Sequence, residues 1–184
     1  MKIGLFGGAF NPFHNGHLAI AKTAIEKAEL DKLIFIPTGN APHKKETDIS
    51  RIDRLNMLKS VIENEDKMFI SDYELSRDTV SYSADTTEYF KLIYPEDELF
   101  FIIGDDSYKQ IDSWHEPERI MKVATLLVFP REGAEIEAPA MKIDMPRVEI
   151  SSSDVRKRIK LGKDCRNLLP KSVFDYIIKN NLYL

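Results

Sequence analysis

Four short, nearly continuous apolar runs constrain this chain more than any other feature: KIGLF (2–6), KLIFIP (32–37), LFFIIG (99–104) and ATLLVFP (124–130). None alternates apolar with polar, so each reads as a strand covered on both faces. KMFISDYEL (67–75) is a fifth candidate strand and PRVEI (146–150) a sixth. Between the runs lie amphipathic segments at helical spacing, over residues 16–29, 51–63, 83–94 and 116–122. Strand and helix therefore alternate, which predicts an α/β fold: a doubly wound sheet of parallel strands joined by right-handed crossovers. Beyond residue 150 the pattern changes to helices alone, over 153–160 and 171–179. At 184 residues the expectation is a single domain, with a sheet core over 1–150 and a C-terminal helical segment over 151–184. Residues 38–50 and 131–145, rich in Gly, Pro and charge, read as surface loops of the kind that carry function.

A formal charge of -4 offers no global attraction to nucleic acid or to an anionic membrane, so an anionic ligand needs a local cluster of donors. Cys165 is the only cysteine, which excludes an intramolecular disulfide and a cysteine-based zinc knuckle. No segment approaches the ~18 continuous apolar residues of a membrane span, and Met1 and Lys2 lead directly into a strand-like run, without the pattern of a signal peptide. A cytoplasmic protein with no membrane partner is expected.

The first run leads into GLFGGAFNPFHNGH (4–17), where Gly7 and Gly8 are followed by Pro12, His14, Gly16 and His17 at the start of a helical segment. Glycine lets a ligand approach the main chain closely, and a helix N-terminus presents unpaired N–H groups and a partial positive charge. Together they make a phosphate cradle, placed where parallel α/β sheets bind ligands. The spacing matches neither GxGxxG nor GxxxxGK[ST], which disfavours a dinucleotide oxidoreductase or a P-loop kinase. Two imidazoles in the first helical turn can donate hydrogen bonds that strengthen as charge builds on a phosphoryl group. The plainer alternatives are a helix cap beside a glycine turn, or a metal site completed by His43, His115 or carboxylates.

The stretch resembles the signature of the nucleotidylyltransferase superfamily, a glycine-rich turn followed by His-x-Gly-His. The superfamily's second signature, a serine-rich turn opening a helix with an arginine after it, is similar to ISSSDVR (150–156). NAPHK (40–44), SYSADT (81–86), IIGDDSYKQIDSWH (102–115) and LLPKSVFDYIIKNNLY (168–183) resemble the nicotinate mononucleotide adenylyltransferase family. That resemblance implies adenylyl transfer from ATP to nicotinate mononucleotide in NAD biosynthesis, with pyrophosphate released and Mg2+ bound with ATP. It implies His14, His17 and Arg156 as catalytic residues, and Gly7, Gly8, Phe10, Ser152 and Ser153 as further contacts to ATP. On the substrate side it implies Thr86 at the nicotinate, Lys44 at the phosphate, Asp106 at a ribose with Asp105 beside it, Trp114 stacked on the pyridine ring, and Arg131 near the nucleotide. It implies no protein ligand set for a metal. Family members often assemble, so a homo-oligomer is an open expectation.

Two positions depart from the superfamily pattern: Asn11 stands where many members have aspartate, and Ala41 where a proline is common. Phosphopantetheine adenylyltransferase is a rival that His14 argues against, since threonine is usual there. Nicotinamide mononucleotide is a second rival substrate. RKRIK (156–160) prompts a different class, a nucleic-acid-binding module, although no aromatic residue interleaves its four basic ones.

Overall fold

The computed structural model describes residues 1–40, 49–63, 65–130, 136–137, 139–146 and 148–184. The apolar runs form strands β1 (Lys2–Gly8), β2 (Lys32–Pro37), β4 (Glu98–Gly104) and β5 (Ala124–Phe129), and shorter strands β3 (Met68–Ile70) and β6 (Met141–Lys142) complete one sheet. Its order is β3-β2-β1-β4-β5-β6 and every pairing is parallel. The strand order reverses at β1, which lies between β2 and β4, so a crevice opens at the carboxyl ends of these strands.

Side chains alternate across the sheet and supply two cores. Leu33 and Phe35 of β2, with Phe6, Phe100, Ile102 and Leu127, face one side, which is covered by α1 (Asn15–Lys27), α2 (Arg51–Ile62), α6 (Ser152–Lys160) and α7 (Lys171–Lys179). Ile34 and Ile36, with Ile3, Leu5, Phe101, Ile103 and Val128, face the other, where α3 (Ser83–Ile93) and α5 (Pro117–Val123) contribute Ala84, Phe90 and Ile120. Burial of both faces is the reason the strands read as unbroken apolar runs. Helix ends follow local chemistry: Ser50 caps α2 by accepting from Asp53 N, and Pro117 occupies the first turn of α5.

Two strand expectations are corrected. Of the run 146–150, the described residues 146 and 148–150 form no strand; the sixth strand is Met141–Lys142, inside a stretch expected to be loop. Leu127 and Val128 hold it in register, and Ile143 N donates to the Val128 carbonyl (2.9 Å) while its side chain enters the core. The fifth run pairs only over Met68–Ile70, because the chain then turns, with Ser76 N bonded to the Asp72 carbonyl. A four-residue helix, α4 (Asp105–Tyr108), follows β4 directly.

Candidate active site

The turn after β1 is shaped by packing as much as by bare backbone. A Cβ on Gly8 would lie 2.9 Å from the Phe10 ring, whereas one on Gly7 would meet nothing within 4 Å. Phe10, expected beside ATP, is instead a core residue, 1% exposed at φ 45°. Its ring meets Phe6, Phe35 and the His17 imidazole edge-on, the last at 5.1 Å. Its ring supports the histidine from within the core.

His14 and His17 cap α1 reciprocally. His14 Nδ1 accepts from His17 N (3.3 Å), His17 Nδ1 accepts from His14 N (3.2 Å), and the rings stack with centroids 3.7 Å apart. A neutral imidazole that accepts through Nδ1 carries its proton on Nε2, so each ring presents its donor away from the cap. Gly16 makes room for this pair, since a Cβ there would lie 3.0 Å from His14 Cε1 and Nδ1.

Burial lowers the His14 pKa to about 4. The unfolded chain, with an ordinary imidazole near 6.5, binds more protons than the native one between those values. The stability that depends on neutral His14 is therefore complete above pH 6.5 and is lost as pH falls towards 4. We expect urea unfolding to show a loss of about 3 kcal/mol across that window, from a shift at 1.36 kcal/mol per pH unit. His14→Asn, which can still cap, should flatten the slope, and an unchanged slope would refute the assignment.

Two cavities open at the carboxyl ends of the strands. The larger, about 1090 Å³, is lined by His14, Gly16, His17, Asp105, Asp106, Lys142, Ser151, Ser152 and Asp154, among others. The N-termini of α1 and α6 both contribute to its wall, and Ser151 caps α6 by accepting from Asp154 N. Ser152 Oγ donates to the Pro12 carbonyl (2.9 Å), which joins the two sequence signatures. Ser153 and Arg156 are not wall residues: Arg156 donates through Nη1 to the Asn11 carbonyl (2.7 Å) and through Nη2 to Ser153 Oγ (3.3 Å). Arg158 of the same basic run is paired with Asp154, so two of its four charges serve internal contacts.

The smaller cavity, about 440 Å³, is lined by Gly7, Gly8, Glu74, Ser81, Tyr82, Ser83, Thr86, Trp114 and His115 with apolar residues of β1, β2 and β4. Trp114 is half-buried and edge-on to Phe101 (6.2 Å), while the Tyr82 and His115 rings lie 4.0 Å apart. Thr86 reaches this wall, but its N–H is bonded to the Tyr82 carbonyl and its hydroxyl donates to Glu74 Oε1 (2.7 Å). Both of its donors are thus engaged within the protein. Gly7 and Gly8, expected with ATP, lie on the Trp114 side, whereas Asp106, expected with the substrate, lies on the His14 side. Lys44 and Arg131 lie outside the described residues.

His17, Ile20, Gly104 and Ser107 belong to both cavities, so two ligands seated in them would meet at His17. Sequence reasoning assigned no role here to Glu74, Tyr82 or Ser151, and weighed His115 only as a metal ligand. Tyr82, His115 and Ser151 lie within the motifs quoted above, but a glutamate at the end of an apolar run carries no local signal of burial.

Residues 5–158 match the cytidylyltransferase-like family. A "probable nicotinate-nucleotide adenylyltransferase" of Clostridium tetani is 40% identical over 99% of this chain and 98% of its own length. The protein of the same description from Borreliella burgdorferi is 41% identical over 100% and 97%. A solved structure of Plasmodium falciparum nicotinic acid mononucleotide adenylyltransferase complexed with NaAD shares the fold, with a TM-score of 0.82 at 24% identity over 99% of this chain and 97% of that one.

Proposed function

The chain belongs to the cytidylyltransferase-like family and, within it, to the nicotinate-nucleotide adenylyltransferases, and from that premise we propose that it transfers the adenylyl group of ATP to nicotinate mononucleotide in NAD biosynthesis. A phosphate oxygen of the mononucleotide attacks the α-phosphorus, the bond from that phosphorus to the bridging oxygen breaks, and pyrophosphate departs with the electron pair. The nucleophile is already an anion, so the protein's task is alignment and charge stabilisation. The observation that carries this reading is His17 at the junction of the two cavities.

ATP takes the larger cavity. Its phosphates meet the Nε2–H donors of His14 and His17 and the N-terminus of α6, with Ser152, Ser153 and Arg156 bracing the approach. Asp106 accepts from a ribose hydroxyl. The pyridine mononucleotide takes the smaller cavity, its ring against Trp114 over the bare backbone of Gly7 and Gly8. No side chain caps α3, and Tyr82 and Ser83 at its start line this cavity, so its first N–H groups favour a carboxylate over an amide. This route to the nicotinate replaces a direct bond from the Thr86 donors. Lys44 is proposed to approach the substrate phosphate and Arg131 to lie near the nucleotide.

Among the described residues no group of three His, Cys, Asp or Glu could hold a metal ion. Mg2+ would accompany the triphosphate, and when bound it would neutralise phosphate charge. Asp105 is the residue that would face it: the side chain is 2% exposed on the cavity wall, and Oδ1 has no partner among the described residues. Residues 1–184 act as one unit, because α6 completes the ATP wall. No helix among the described residues is long and apolar enough to cross a membrane, and a cytoplasmic site of action is proposed.

The test is a chromatographic assay of dinucleotide and pyrophosphate with ATP and Mg2+, offering nicotinate mononucleotide, nicotinamide mononucleotide and phosphopantetheine separately. Product from the acid should exceed product from the amide by about 10-fold or more, as expected for about 1.4 kcal/mol of differential binding at the α3 terminus. Turnover of another acceptor in preference would overturn the assignment of the smaller cavity.

A further inference from the structure

Glu74 is 7% exposed on the wall of the smaller cavity and uses both carboxylate oxygens within the protein. Oε1 accepts from Thr86 Oγ1 (2.7 Å) and Oε2 from Gly39 N (3.3 Å). One side chain thus ties the turn after β2 to the first turns of α3. The backbone agrees: a Cβ on Gly39 would lie 2.2 Å from the Glu74 carbonyl oxygen, so the two segments pass as closely as only glycine allows. Nearby, Ser81 N donates to the Asn40 carbonyl (2.9 Å), and Arg51 donates to Asn40 Oδ1 (2.6 Å) and to the Leu75 carbonyl (3.1 Å). Between them sits Ser81 Oγ, buried and without a hydrogen-bond partner among the described residues, on the same cavity wall.

A carboxylate buried this deeply is costly, and no ion pair to it exists among the described residues. Burial raises its pKa, against the pull of the Thr86 and Gly39 donors. Such a group is worth its cost where it fixes a geometry that an apolar side chain could not.

Building on the adenylyl-transfer reading, we propose that Glu74 is a positioning residue for the pyridine mononucleotide: by gripping Gly39 N–H and the Thr86 hydroxyl together, it sets the gap across which Ser81 Oγ and the N-terminus of α3 receive the ligand. It touches neither ATP nor the reacting atoms. Its loss therefore separates the two substrates, which a merely structural role would not.

Glu74→Gln keeps Oε1 as an acceptor for Thr86 but turns an amide N–H₂ towards the Gly39 donor. Thr86→Val keeps the branched shape and deletes the hydroxyl, and Thr86→Ser restores it. Trp114, the only tryptophan, lines the cavity and reports binding by its fluorescence. Titration with nicotinate mononucleotide should give a Kd about 10-fold weaker for Glu74→Gln and Thr86→Val, the cost of one hydrogen bond, with Thr86→Ser near wild type. KM for ATP should stay within about 2-fold in all three, because the larger cavity is untouched. Should Glu74→Gln fail to fold, the valine and serine pair carries the test. Unchanged Kd in folded variants, or equal losses for both substrates, would overturn the positioning role while leaving wild-type turnover intact. Wild-type protein that neither turns over nor binds the mononucleotide would overturn the adenylyl-transfer reading itself and the role built on it.

Discussion

Alanine at His17 is expected to lower kcat by about 10²- to 10³-fold, the cost of removing one preorganised donor from a site of developing charge. The imidazole belongs to both cavities and its Nε2–H lies opposite the capping Nδ1, so the donor stands where two ligands would meet. It is held there by the cap from one side and by Phe10 and Phe13, at 5.1 and 5.3 Å, from another. A donor fixed before the substrates arrive needs no reorganisation in the transition state, and this is where the rate is gained. The fold should survive, because the substitution removes half of a capping box: about 1 kcal/mol, or a melting temperature lower by about 2–4 °C. His14→Ala makes the contrast. That ring lines only the ATP cavity, so its loss should raise KM for ATP more than it lowers kcat. Single-turnover rates and calorimetry on the two variants separate these outcomes, and kcat within a few-fold of wild type for His17→Ala would remove it from the mechanism.

The sheet was legible because four of its strands are buried on both faces, and that burial writes itself as unbroken apolar sequence in β1, β2, β4 and β5. β6 was not legible. Two residues pair there because Val128 and Ile143 bring them to the sheet, a tertiary cause with no local pattern. Helix starts were read to within a residue or two wherever a serine or proline stood at the boundary. In the run Ser151 to Ser153, however, nothing in the letters separates the residue that caps α6 from the one that donates to Pro12 and the one that meets Arg156.

The site divides in the same way. Spacing alone put His14 and His17 in one helical turn, and their reciprocal capping follows from that spacing. Which wall a residue reaches depends on the tertiary fold instead. Phe10 enters the core, Gly7 and Gly8 fall on the Trp114 side, and Asp106 falls on the other. Thr86 shows the deeper reason: a donor's chemistry is visible in sequence, but whether it is already engaged depends on a partner 12 residues away.

Arg156→Ala should lower kcat/KM for ATP by about 100-fold, the scale of one lost charge-assisted hydrogen bond combined with a loosened cradle. The chain between β1 and α1 is held through its acceptors. Arg54 Nη1 donates to the Ala9 carbonyl (2.9 Å), Arg156 to the Asn11 carbonyl (2.7 Å), Tyr183 OH to Asn11 Oδ1 (2.6 Å) and Ser152 Oγ to the Pro12 carbonyl (2.9 Å). These donors come from α2, α6 and the C-terminal residues, so the position of His14, two residues beyond Pro12, is set by parts of the chain distant in sequence. Asn11 fills this role without a negative charge, because what the fold asks of its side chain is an acceptor for Tyr183. Lysine at position 156 retains a point charge but not the fork that reaches Asn11 and Ser153 together, and should recover about 10-fold of the loss. Initial rates at varied ATP, with the mononucleotide saturating, check both variants. If Arg156→Ala stays within about 3-fold of wild type, the other three donors suffice to hold the turn, and the charge-stabilising work rests on His14, His17 and the N-terminus of α6.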